Sequence, residues 1–168
     1  MSIERIFSLK KTGPVISDAP ARITYFLPPD DLDIMNSVPI EAISQHKRQI
    51  LDSSVHDPKF YITIMDYSIH PTFVSYKLEL GRLSPDGRTV YIKHTQTRYS
   101  QLYNLYYSLN NDPLFKHTLP PFPSKKWFNN LTRETAEQRK RDMTPFIESL
   151  TCFIEVRLNP LFGQLFKL

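Results

Sequence analysis

Apolar positions in this chain change their period partway along. Residues 60–65 (Phe-Tyr-Ile-Thr-Ile-Met) are strand formers in one run, and residues 73–80 alternate. In the second run Phe73, Ser75, Lys77 and Glu79 fall on one side, and Val74, Tyr76, Leu78 and Leu80 on the other. Residues 89–96 form a third β-branched and aromatic run. Pro71 interrupts the first connection, and Pro85-Asp86-Gly87 supplies the second turn. The pattern predicts three antiparallel strands in a meander, which needs a covering layer. That layer comes next. Leu102, Leu105, Tyr106 and Leu109 recur at helical spacing in a segment ending near Asn110. A second helix is capped by Thr132, has Glu134 and Glu137 in its early turns, and presents Arg139, Met143, Phe146, Ile147 and Leu150 on one stripe. Pro145 is expected to kink or restart it, with Thr144 as a new cap, and residues 158–168 to close the helical half. The fold class is therefore α+β: a three-stranded antiparallel β-meander packed against a helical subdomain, with a proline-rich loop between helices.

Residues 1–56 read differently. The first 35 lack sustained periodicity and contain four prolines, as an extended arm does. Its apolar stretch from Ile23 to Pro29 has the character of a peptide that docks in a partner's groove, or of a strand or loop on its own domain. Pro39 predicts the start of a short helix over about 39–52, with Ile40, Ile43, Lys47, Ile50 and Leu51 on the face that packs on the main domain. The division expected is an N-terminal extension over 1–56 and one domain over 57–168.

Charge sharpens this division. The extension holds 6 Lys/Arg and 7 Asp/Glu, whereas residues 57–168 hold 15 and 10, so the net charge of +4 belongs to the larger part and points to an anionic partner. No apolar run is long enough to span a bilayer, and no secretory or myristoylation signal is read at the start. The one cysteine, Cys152, excludes an internal disulfide and is expected to be a buried thiol in a helix, consistent with a reducing, cytoplasmic setting. The match of Asn130-Leu-Thr132 to a glycosylation sequon is read as accidental in such a setting.

No pattern for catalysis survives. Four dispersed glycines make no phosphate-cradling loop, and the five histidines form no metal-ligand pair, so neither cofactor nor metal is expected. What remains is a set of basic and aromatic residues at structurally constrained positions. Arg98 and Tyr99 sit where the third strand gives way to a helix. Lys125 follows the stiff run Leu119-Pro-Pro-Phe-Pro-Ser. Arg139 ends an apolar stripe, where a cation is costly unless it meets an anion.

These segments resemble the phox-homology (PX) family in three places: Thr97-Arg98-Tyr99-Ser100-Gln101-Leu102, Leu119-Pro-Pro-Phe-Pro-Ser-Lys125, and Glu137-Gln-Arg139-Lys-Arg-Asp-Met143. Thr97 and Leu102 depart from the family's arginine and phenylalanine. The resemblance covers roughly residues 57–168. It implies a phosphoinositide-binding membrane adaptor, most often for phosphatidylinositol 3-phosphate, peripheral on endosomal or vacuolar membranes. It also implies roles: Arg98 on the 3-phosphate, Tyr99 on the inositol ring, Lys125 on the 1-phosphate and Arg139 on the 4- and 5-hydroxyls. Lys126, Trp127 and Phe128 then belong to a membrane-contacting loop. The alternative is a module of the same fold that binds lipid weakly and works through its extension. Nucleic acid fits the charge but not its clustering around a single tyrosine.

Overall fold

The computed structural model describes residues 36–126 and 129–166. The expected arm and its stretch from Ile23 to Pro29 therefore lie outside the described residues, as do Trp127 and Phe128.

The three predicted strands are present as β2 (Phe60–Ile69), β3 (Val74–Leu83) and β4 (Thr89–Arg98). A fourth, β1 (Asn36–Pro39), pairs antiparallel with β4 and gives the order β1-β4-β3-β2. The sheet is thus four-stranded rather than three-stranded. β1 escapes a pattern search because its four residues offer one half-buried valine, Val38, and no alternation. The helix expected from Pro39 begins later. Ile40–Ala42 form a 3-10 turn, and α1 (Gln45–Ser53) starts after Ser44, whose hydroxyl accepts the Lys47 N–H. A capping hydroxyl satisfies an orphan donor that proline cannot, so Ser44 sets the start.

Strand alternation sends side chains to two faces, and each is covered. Phe60, Ile62, Tyr76, Leu78 and Leu80 face the helical half. There α2 (Tyr99–Asn110) buries Leu102, Leu105 and Leu109, and α3 (Arg133–Ser149) buries Ala136, Met143, Phe146 and Ile147. The last helix, α4 (Pro160–Phe166), adds Phe162 and Phe166. On the opposite face Tyr61 and Val90 pack against Ile43, Ile50 and Leu51. Gly81 lies under Tyr61, and a Cβ there would come within 2.1 Å of the ring, so glycine is required.

Two sequence expectations are corrected. Pro145 does not break its helix: α3 runs through it, and Thr144 bonds back to the Lys140 carbonyl rather than capping a new helix. The carbonyl that proline leaves without a donor belongs to Arg141, which is exposed, so water can satisfy it. Cys152 is exposed rather than buried, because the chain leaves the α-helix for a 3-10 turn, Leu150–Cys152, and rotates it outward.

One buried charge fastens α1 to the sheet. Glu79, 5% exposed, accepts from Lys47 Nζ at 2.6 Å, Tyr61 Oη at 2.6 Å and His94 Nε2 at 3.0 Å. Burial alone raises its pKa, but hydrogen bonds from Lys47, Tyr61 and His94 outweigh burial and hold the carboxyl below its usual value. A depressed carboxylate stabilises the fold above its unfolded pKa, and that contribution fades as pH falls through the folded value. Glu79→Gln is accordingly expected to cost about 1.5–3 kcal/mol at pH 7. Denaturant unfolding from pH 7 downward checks this, since the difference from the parent chain shrinks below about pH 4.

Candidate functional site

Arg98 occupies the seam that the sequence pattern marks. Its backbone is extended, closing β4, and its N–H donates to Gln101 Oε1 at 2.9 Å in the first turn of α2. Across the ladder it pairs with Ser75 of β3. The side chain is exposed, with Cζ 3.7 Å from the centre of the Phe73 ring.

Tyr99, the next residue, joins the other two contributors. Its hydroxyl donates to the Pro123 carbonyl at 2.6 Å, fixing the proline-rich segment against α2. Phe122 of that segment packs among Tyr99, Tyr106 and Phe146, with ring centres 5.2–5.6 Å away. This anchorage places Lys125, whose Nζ rests 4.3 Å from the centre of the Tyr103 ring. From α3, Arg139 reaches the Tyr99 ring, its Cζ 4.2 Å from the centre.

The three elements meet in a cavity of about 370 Å³ whose walls include Arg98, Tyr99, Lys125, Lys126 and Arg139. The β2–β3 hairpin contributes Thr72, Phe73 and Val74, and among the described residues no Asp or Glu lines the cavity. The four headgroup residues expected from the sequence thus share one cavity, and Lys126 stands exposed at it.

The electrostatics of the floor are unusual. Arg139 is 7% exposed, and among the described residues its Nε has no hydrogen-bond partner; the fully buried Tyr76 hydroxyl lies near its guanidinium. Carboxylates near Arg139 in sequence are occupied elsewhere: Glu137 pairs with Arg141 at 3.9 Å, Asp142 accepts from Gln138, and Glu148 accepts from Thr63 and His46. Burial pushes the Tyr76 phenol up to about 12 against the opposing pull of Arg139. Burial also raises Tyr99, again opposed by Arg139. The site therefore offers cations and hydroxyl donors to an anion, with an aromatic face beside them. Among the described residues no group of three or more His, Cys, Asp or Glu is placed to hold a metal.

Sequence reasoning missed Phe73 and Tyr103. Tyr103 lies four residues beyond Tyr99 on α2, so the spacing alone contains that signal. Phe73 shares a side with Ser75, but only the cross-strand register shows that this side meets Arg98.

A family model described as PX domain matches residues 87–167. The chain is similar to the solved structure of a designed CISK-PX domain, at 21% identity and a TM-score of 0.48, with 61% of this chain and 94% of that chain covered. It is also similar to the mouse SNX19 PX domain with bound sulphate ion, at 16% identity and a TM-score of 0.49, covering 64% and 94%. No curated protein matches the chain.

Because Arg139 is buried and has no ion pair among the described residues, it serves the fold poorly. Arg139→Met, which fills similar volume without charge, is expected to leave the thermal midpoint unchanged or raise it, whereas Arg139→Ala lowers it through lost packing. Calorimetry of the two variants beside the parent chain checks the pair.

Proposed function

We propose, with the PX-domain match over residues 87–167 as premise, that this chain is a membrane adaptor that binds phosphatidylinositol 3-phosphate and acts peripherally on endosomal or vacuolar membranes. PX domains are in general non-enzymatic modules that bind phosphoinositide membranes. The observation that carries the finer reading is the cavity itself, where four cations from three elements converge with no carboxylate among the described lining residues.

The headgroup assignments are those that the resemblance to PX domains implies, and the residue types and their places are compatible with them. Arg98, exposed at the wall, offers paired N–H donors to the 3-phosphate. The Tyr99 ring covers the apolar side of the inositol. Lys125, a flexible point charge on the proline-rich segment, meets the 1-phosphate. Arg139 on the floor, with an Nε that has no partner among the described residues, takes the 4- and 5-hydroxyls. Lys126, Trp127 and Phe128 form the membrane-contacting loop. A large aromatic buried in the interface contributes about 1.5–3 kcal/mol and a basic residue near an anionic leaflet about 1 kcal/mol. Headgroup choice then comes from the cavity and much of the affinity from the rim.

Residues 57–168 are the lipid-binding unit in this reading, and the preceding extension, including the stretch from Ile23 to Pro29, recruits a protein partner. Nucleic acid is not a ligand.

Flotation with vesicles carrying each phosphoinositide in turn tests the proposal. The parent chain is expected to float with phosphatidylinositol 3-phosphate vesicles. Arg98→Ala weakens this at least about tenfold with no change in thermal midpoint, since an exposed side chain contributes little to the core. Trp127→Ala weakens vesicle binding but spares binding of the soluble headgroup. Absence of flotation by the parent chain, or binding of oligonucleotides instead, defeats the reading.

A further inference from the structure

The β2–β3 hairpin ends at the cavity, and the headgroup assignments leave its tip without a role. The His70 N–H donates to the Phe73 carbonyl at 2.8 Å, closing the turn. The His70 imidazole stacks on the Phe73 ring with centres 4.4 Å apart and planes at 24°, and its Nε2 is hydrogen-bonded to Ser75 Oγ at 2.9 Å. The Arg98 guanidinium lies 3.7 Å from the same Phe73 ring. Two groups this close to one ring centre occupy opposite faces. Ser75 stands directly across the β-ladder from Arg98, so the contacts close a circuit from Ser75 through His70 and Phe73 to Arg98.

An exposed arginine on its own samples many rotamers, and ordering it on binding lowers affinity. A carboxylate partner orders it but occupies its N–H edges and cancels its charge. A π face orders it at no such cost, since the guanidinium lies flat on the ring while its edges stay free. Among the described residues no carboxylate or carbonyl is hydrogen-bonded to the Arg98 guanidinium, and the Phe73 ring lies against it.

We infer that Phe73 is a positioning residue for phosphate recognition: its ring holds the Arg98 guanidinium against the cavity wall with the N–H edges turned to the anion, and His70 holds the ring. This rests on the lipid reading above. The partner is the 3-phosphate of the headgroup, and Phe73 acts on it only through Arg98.

Isothermal titration with a soluble short-chain phosphatidylinositol 3-phosphate separates this role from any contact with a bilayer. Phe73→Leu is expected to weaken binding about 3- to 10-fold, whereas Phe73→Tyr and Phe73→Trp retain it. In an Arg98→Lys background, which keeps charge but not the planar stack, Phe73→Leu changes affinity much less. Progressive fluorination of Phe73, which drains the π face with little change in shape, gives a graded loss and keeps the test decisive if the leucine variant fails to fold. Unchanged headgroup affinity in Phe73→Leu or across the fluorinated series overturns the inference. So does a loss seen with vesicles alone, which makes Phe73 a bilayer contact. Failure of the parent chain to bind the soluble headgroup defeats the lipid reading instead.

Discussion

Tyr99 is the residue on which the site depends. Its backbone begins α2 directly after Arg98, its hydroxyl ties down the proline-rich segment at Pro123, and its ring receives Arg139 from α3. One side chain therefore fixes the relative positions of three elements that are distant in sequence. A segment with three prolines in four positions makes few backbone hydrogen bonds of its own. The Tyr99 hydroxyl and the Phe122 anchor supply the constraint that a ladder supplies elsewhere.

Gathering four cations with no carboxylate among the described lining residues requires some other means of holding them, and for three of them it is aromatic. Arg98 lies on Phe73, Arg139 on Tyr99 and Lys125 on Tyr103. A π face attracts a cation without neutralising it, so the positive potential of the cavity survives. The contrast with Glu79 is instructive. There a buried charge is saturated by Lys47, Tyr61 and His94 and serves the fold, whereas Arg139 keeps an unpartnered Nε. A buried polar atom left unsatisfied at the wall of a cavity is available to a ligand.

What the sequence reveals follows from the range of the interactions involved. The seam at Arg98 is legible because strand and helix periods abut there, and Arg139 because a cation interrupts an apolar stripe. The meander is legible from alternation. β1 is not, because four residues borrow their strand conformation from β4 rather than from their own pattern. The start of α1 is misread because Pro39 and Ser44 both signal a beginning, and only the hydroxyl captures an N–H. Cys152 is misread because helical periodicity does not announce a tightening into 3-10 geometry. Phe73 is hidden in a different way. Its partner lies on another strand, and register is a property of the folded sheet.

The covering of the second sheet face bears on how the chain can be divided. Tyr61, Val90 and Glu79 belong to the strands, yet Ile43, Ile50, Leu51 and Lys47 that shield them come from before residue 57. A cut before residue 57 leaves a bare apolar surface behind and takes the Lys47 counter-ion from Glu79. The cationic cavity and the sheet that supports it therefore have different borders in this molecule: the described residues that line the cavity all lie from Thr72 onward, but the second face of the sheet is covered by residues upstream.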